Sequence, residues 1–311
     1  MHDSTGIEQQ KTKESSKKRF KLPYKVFRNL ALIFSLVLTG CQSIGPKGSE
    51  QVAEATAQAY AAHPDALKVD IENLPEVIKE RSIFISMSGY GTEVGNPNSL
   101  DFSKPVTGFS SAVWLGPNFF VTAAHALPAY GTYLVIEKPG TLLSVGFKEI
   151  EFYVFRHQTQ DMALVVVNVE DDQLNRFWGN QVTQPLEFAS QPLQIGQQLD
   201  LLTYYGGTEE APMRVTLLPL SLTVAQPTDN YALEHPELLW ATGPGINGQS
   251  GSGVYVMNGE HIELVGLHKG YIPGTTEVGI TPINPGLTEL LERISDKIEV
   301  SSDELSSLLN H

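Results

Sequence analysis

From Ile83 onward the chain is written in short apolar bursts: SIFISMSG, SAVWLG, FFVTAA, TYLVIE, IEFYVFRH, DMALVVVNV, QQLDLLTYY, RVTLLPLSLTV, LLWAT, SGVYVM and HIELVGLH, with Gly, Pro and Asn breaks between them. Val, Ile, Phe and Tyr fit a pleated, half-buried surface, and segments this short separated by turn residues read as strands. Alternation of strands with helical patterns is missing, which excludes βαβ units and a parallel sheet. The chain is therefore expected to be all-β, a sandwich or a barrel. One segment differs. In NPGLTELLERISDKI the residues Leu287, Leu290, Leu291 and Ile294 recur at helical spacing, so a helix closes the domain.

The N-terminus obeys other rules. Residues 1–40 carry eight Lys/Arg and three Asp/Glu, a net of +5, so the total of −14 leaves −19 for residues 41–311. A body this acidic repels phosphate backbones, and nucleic acid is not an expected partner. The cationic stretch KKRFKLPYK leads into the apolar run Leu30–Leu38. That run is well short of the roughly 20 residues a spanning helix needs, and it fits the h-region of a secretory signal. Cys41, the sole cysteine of the 311 residues, excludes an internal disulfide framework. Leu38-Thr39-Gly40-Cys41 resembles the lipobox of bacterial lipoproteins, which implies cleavage before Cys41 and lipidation of its thiol. The n-region is unusually long, so translation is expected to start downstream of Met1. Gln42 after the cysteine implies, in lipoproteins of that kind, the outer membrane. The expected layout is a signal peptide over 1–40, a tether or pro-region over 41–80 with helical character in EQVAEATAQAYAAH, a β domain over 81–298 and an acidic tail over 299–311.

Chemistry concentrates in GINGQSGSGVYV, residues 245–256, where Ser250 stands among glycines that let the backbone turn tightly and bring its N–H groups close to a ligand. A nucleophilic serine needs a base, and the base needs an orienting partner. His125 follows small residues in FFVTAAHAL, and Asp161 opens the apolar strand of TQDMALVVVNV. An α/β-hydrolase is excluded on two counts: Gly248-x-Ser250-x-Ser252 is not the G-x-S-x-G elbow, and the order His, Asp, Ser is not Ser, Asp, His. No H-E-x-x-H pattern or Cys/His cluster calls for a metal, no cofactor is expected, and His261 and Glu263 read as the exposed face of a strand.

Taken together, Thr122-Ala123-Ala124-His125, Asp161-x-Ala163-Leu164 and Gly248-x-Ser250-Gly251 resemble the motifs of the chymotrypsin-like serine proteases, over roughly residues 82–297. The resemblance implies two six-stranded antiparallel β-barrels with a C-terminal helix. It also implies an endopeptidase acting on protein or peptide substrates through His125, Asp161 and Ser250, with the N–H groups of Gly248 and Ser250 as oxyanion hole. Ser110 and Ala126 stand where animal members pair two cysteines. Gln249 replaces the aspartate that pairs with a newly cut N-terminus in digestive members, so activation by that ion pair is not expected.

The segment LVGLHKGY, residues 264–271, is similar to the strand that flanks the primary pocket in this family. Gly266-Leu267-His268 resembles the G-I-H of bacterial glutamyl endopeptidases, which implies cleavage after Glu and, less well, Asp. A docking carboxylate would raise the histidine's pKa and so help to generate its own cation. Thr242, His268, Lys269 and Gly270 are the substrate-binding candidates, with Lys269 on the strand face opposite His268. Gly245 departs from that subgroup, which has a hydroxyl residue there. A catalytically silent binding module on the same double barrel is the alternative reading. A purely structural lipoprotein would leave the three motifs unexplained.

Overall fold

The computed structural model describes residues 71–90, 105–116, 118–128, 130–137, 151–168, 186–208, 211–245, 248–258 and 261–295. The signal segment with Cys41, the EQVAEATAQAYAAH stretch and the acidic tail lie outside the described residues.

Strands β1 (Ser82–Tyr90), β2 (Pro105–Gly116), β3 (Phe119–Thr122), β4 (Tyr130–Glu137), β5 (Glu151–Arg156) and β6 (Ala163–Asn168) form one antiparallel sheet in the order β4-β1-β2-β3-β6-β5. The second sheet holds β7 (Glu187–Phe188), β8 (Gln198–Thr208), β9 (Ala211–Val224), β10 (Leu239–Thr242), β11 (Gly253–Asn258), β12 (His261–Tyr271) and β13 (Glu277–Pro282). Six of these run β11-β8-β9-β10-β13-β12, and the pairing of β11 with β12 closes the ring. Three helices flank the strands: α1 (Glu76–Arg81), α2 (Asn230–Glu234) and α3 (Gly286–Ser295). The described strands thus form two six-stranded antiparallel barrel-like sheets with a C-terminal helix, the architecture that the motif resemblance implies. One element was not anticipated: the two-residue β7 pairs in parallel with β12 outside the ring. Two residues are too few to leave a period-2 pattern in the sequence.

Strand alternation explains the core. Ala112 and Trp114 of β2, Phe120 of β3, and Ala163, Val165 and Val167 of β6 fill the first barrel. The alternating neighbours Val113, Leu115, Phe119, Val121, Leu164 and Val166 point the other way, into a cluster shared with Leu202, Tyr255, Leu264 and Leu267 of the second barrel. Both faces of these strands are buried, which is why FFVT and ALVVV read as continuous apolar runs rather than alternating ones. The interior of the second barrel is built from Leu199, Leu201, Leu220, Leu222, Val254, Val256 and Val278.

Helix α3 puts Leu287, Leu290, Leu291 and Ile294 into the inter-barrel cluster, as their spacing requires. Packing also reaches residues ahead of residue 81. Leu74, Val77 and Ile78 belong to the same cluster, and the buried Arg81 guanidinium donates to the Trp114 and Leu115 carbonyls (3.2 and 3.0 Å) while lying 5.1 Å from the Trp114 ring centre. Among the described residues no helix is long and apolar enough to cross a membrane.

Candidate active site

Two of the triad candidates, His125 and Asp161, sit close to the ends of buried strands, and the third, Ser250, sits in a loop. β3 stops at Thr122, Ala123 is extended, and a single 3-10 turn, Ala124–Ala126, lifts His125 to the barrel rim. Ala123 and Ala124 are buried, so the small residues ahead of the histidine let the chain turn tightly against the core. Asp161 lies in the turn between β5 and β6, one residue before the fully buried Met162. Its carboxylate accepts from the His125 backbone N–H at 2.9 Å and stands 2.6 Å from His125 Nδ1. Ser250 comes from the loop between β10 and β11, with its Oγ 3.0 Å from His125 Nε2 and 3.3 Å from the Lys269 carbonyl.

The electrostatics agree with the geometry. The Asp161 side chain is 11% exposed. Burial by itself pushes its carboxyl up, but the hydrogen bonds and charge of His125, with Lys269 adding, outweigh that and hold it below the usual carboxylate value. An ionised Asp161 accepts a hydrogen bond from Nδ1–H, which leaves Nε2 with its lone pair toward the serine hydroxyl.

The loop carrying Ser250 takes a shape only glycine tolerates. Gly248 and Gly251 have φ of 95° and 81°. At Gly251 a Cβ would also run into the Ser111 carbonyl and Thr122 Oγ1. This close approach is used: the Ser250 carbonyl accepts from Ser111 N–H (3.0 Å) and from Ser110 Oγ (2.6 Å). Thr122 Oγ1 donates to the Ser111 carbonyl (2.6 Å) and contacts Ser110 Oγ (2.7 Å). Ser111 Oγ reaches the Gly248 carbonyl (3.2 Å), and Ser252 Oγ bonds Thr203 (2.9 Å). From the second barrel, Gly251 N–H donates to the His268 carbonyl (2.8 Å), and His268 N–H to the Ser252 carbonyl (2.9 Å). With its carbonyl held from behind, the loop leaves the Gly248 and Ser250 N–H groups without a backbone acceptor among the described residues.

A cavity of about 500 Å³ opens beside the triad, lined by His125, Asp161, Lys269, Gly270, Tyr231 and Trp240 among others. Of the substrate-binding candidates, Lys269 and Gly270 reach this wall. Thr242, at the end of β10, instead faces the Thr223 carbonyl of β9 at 3.4 Å and is not part of the cavity. His268 is also absent from the wall. It is 1% exposed, and neither ring nitrogen has a partner among the described residues. Burial, with His125 nearby, pushes its pKa down to about 3, so its ring is neutral. Strand alternation separates His268 from Lys269 as expected, but the cavity lies on the lysine's side.

The hydroxyl bracket of Ser110, Ser111, Thr122, Thr203 and Ser252 was not anticipated. Its only trace in sequence is the Ser-Ser pair of β2, which strand alternation sends to both faces of the sheet. Among the described residues no group of three or more His, Cys, Asp or Glu is gathered as a metal site would require.

No protein-family model matches the chain, and no curated protein does. Among solved structures it is similar to the Rv3671c protease of M. tuberculosis in its active form, at 17% identity over 73% of this chain and 86% of that one, with a TM-score of 0.45. It is similar to the HtrA-type protease AlgW solved with a decapeptide, at 14% identity over 74% and 68%, with a TM-score of 0.49. It is also similar to the scabies mite inactivated protease paralogue S-D1, at 15% identity over 72% and 95%, with a TM-score of 0.44.

Proposed function

We propose that this chain is a serine endopeptidase tethered to a bacterial envelope membrane by lipid on Cys41. One observation carries the reading: the unbroken line Asp161 Oδ2, His125 Nδ1, His125 Nε2, Ser250 Oγ, with steps of 2.6 and 3.0 Å. Ser250 Oγ attacks the scissile carbonyl while His125 takes its proton. The proton then passes to the leaving amine, and Asp161 fixes the ring and stabilises its charged form. The N–H groups of Gly248 and Ser250 stabilise the oxyanion of the tetrahedral intermediate, and the left-handed Gly248 gives the backbone the shape this needs. Water then releases the acyl group with His125 again as base. No cofactor takes part.

The test is covalent labelling of the full chain with a fluorophosphonate. Wild type should label at Ser250 and hydrolyse peptide esters, whereas an unlabelled wild type would mark a silent binding module. Membrane attachment, facing the periplasm or the exterior at the outer membrane, rests on the lipobox-like residues before Cys41. Acyl chains bind bilayers at roughly 0.8 kcal/mol per buried CH₂. Cys41→Ser should abolish incorporation of a fatty-acid analogue, and unchanged incorporation refutes the anchor.

The preference we propose is for Glu, and less well Asp, before the scissile bond. One feature supports it, Lys269 as a cation on the cavity wall; the buried, neutral His268 lies off that wall and does not. Measuring kcat/KM for matched Glu, Gln, Leu and Lys peptides tests it: Lys269→Met should lose the Glu/Gln discrimination and His268→Val should keep it. A Glu/Gln ratio near one in wild type removes the preference altogether.

A further inference from the structure

We infer that helix α3 acts as a clamp on the His125–Asp161 pair, gripping it through the consecutive residues Arg156 and His157; the inference rests on the triad reading above. The turn that presents Asp161 is closed by backbone bonds from His157 N–H to the Met162 carbonyl (2.9 Å) and from Met162 N–H to the Gln160 carbonyl (2.8 Å). Its interior is filled by the His157 ring. Nδ1 accepts from both Thr159 N–H (3.2 Å) and Gln160 N–H (2.9 Å), and Nε2 stands 2.9 Å from Glu289 Oε2 on α3. A nitrogen that accepts two N–H groups carries no proton, so the ring's proton is on Nε2 and is donated to Glu289. The His157 side chain is only 7% exposed. Its tautomer is thus fixed by contacts on both sides, one pair shaping the turn and the other tying it to the helix.

The second arm serves the histidine. Arg293, one helical turn beyond Glu289 on α3, donates Nη1 to the Arg156 carbonyl at 3.0 Å. The Arg156 guanidinium in turn donates to the carbonyls of Ala124 (2.5 Å), Leu127 (3.1 Å) and Pro128 (2.6 Å), the backbone on both sides of His125. One face of α3 is anchored among Leu287, Leu290, Leu291 and Ile294 in the inter-barrel cluster. Its polar face therefore holds both members of the base pair in one frame. The Gly286 end of the helix abuts the same turn, where a Cβ would meet the Gln160 amide. His157 also lines the cavity beside the triad, but its hydrogen bonds go to the turn and to Glu289, not to His125 or Ser250, so it is a positioning residue.

Three substitutions at one site separate positioning from mere packing. Asn carries a carbonyl near the place of Nδ1 and can accept from the turn. Gln carries an amide N–H near the place of Nε2 and can reach Glu289 but leaves the turn unfilled. In the full chain, His157→Ala and His157→Gln should lower kcat for a peptide ester roughly tenfold to a hundredfold with KM unchanged, the size of effect that a displacement of about 1 Å in a catalytic group produces. His157→Asn, which refills the turn but lets go of Glu289, should recover only part of that loss, and Glu289→Ala should show the remainder. Full recovery in His157→Asn, or an unchanged kcat in Glu289→Ala, would overturn the grip of α3. An unchanged kcat in His157→Ala, or equal losses in Ala and Asn that follow their thermal stabilities, would overturn the clamp.

A readout independent of turnover is the long-range ¹⁵N–¹H spectrum of the His157 ring, which should show an unprotonated Nδ1 and a protonated Nε2. The opposite tautomer overturns the proposal whatever the activity. The expected tautomer in a chain that never labels at Ser250 supports the clamp geometry and removes the protease reading instead.

Discussion

His125 and Asp161 stand at the ends of strands buried on both faces, whereas Ser250 stands in a loop that passes through two left-handed glycines and is tied down by hydroxyl groups. On the first side the strands are fixed by apolar packing that each residue shares with many neighbours, with the hydrogen bonds of Arg156 and His157 added only at the rim. On the second it is fixed by a few directional bonds from Ser110, Ser111 and Thr122 across the barrel boundary. Packing tolerates small losses because dispersion and burial are spread over many atoms. A hydroxyl bracket tolerates them less well, because it rests on a few bonds and a lost partner leaves a buried polar group under-satisfied. The nucleophile side should therefore be the more brittle one.

The largest effect lies where the two sides meet. Ser250→Ala and His125→Ala should each lose on the order of 10⁴–10⁶ in kcat, and the double variant should be little worse than either, since triad members act as a unit. Additive losses would show that the 3.0 Å contact between Nε2 and Oγ is not a working one.

Next in size is a pair of glycine substitutions that isolates brittleness from strain. Gly251 and Gly274 have nearly the same φ, 81° and 80°, but a Cβ at Gly274 meets nothing within 4 Å whereas at Gly251 it meets the Ser111 carbonyl and Thr122 Oγ1. Both Ala variants should lose about 1–3 kcal/mol of stability from backbone strain. Only Gly251→Ala should also lose activity, by roughly a hundredfold, because the bracket must move and Ser250 with it. Equal activity in the two variants would show that the loop does not depend on that close approach.

The same contrast explains what could be read from the letters. Apolar bursts with turn residues between them give away strands, and helical spacing of Leu287, Leu290, Leu291 and Ile294 gives away α3, because period follows from which faces are buried. That His125, Asp161 and Ser250 come together was legible because each sits in a short local motif, with small residues around His125 and Ser250 and an apolar strand opening after Asp161. The clamp and the bracket were not. Arg156 and Arg293 are 137 positions apart, as are Ser111 and Gly248, and no local pattern records which distant segments will touch. The face of β12 toward the cavity was hidden for a related reason. Period 2 says that His268 and Lys269 point apart, but only the packed barrel says that the lysine side is the open one.

The smallest predicted effect distinguishes the two sides by pH. The Asp161 carboxyl is held below its ordinary value of 3.8 in the folded chain, so its contribution to stability is fully present above that value and is lost as pH falls through the folded one. The stability difference between wild type and Asp161→Asn, measured by urea unfolding, should hold steady above pH 3.8 and narrow below it. Thr122→Val removes a donor to the Ser111 carbonyl and a partner of Ser110, neither of which titrates. Its cost, about 1–3 kcal/mol for an unsatisfied buried group, should therefore stay level through the same acid window. Parallel narrowing of both differences would mean that the acid transition loosens the whole domain before Asp161 protonates. A narrowing confined to Asp161→Asn assigns the acid sensitivity to the base pair and leaves the nucleophile loop on its hydroxyls.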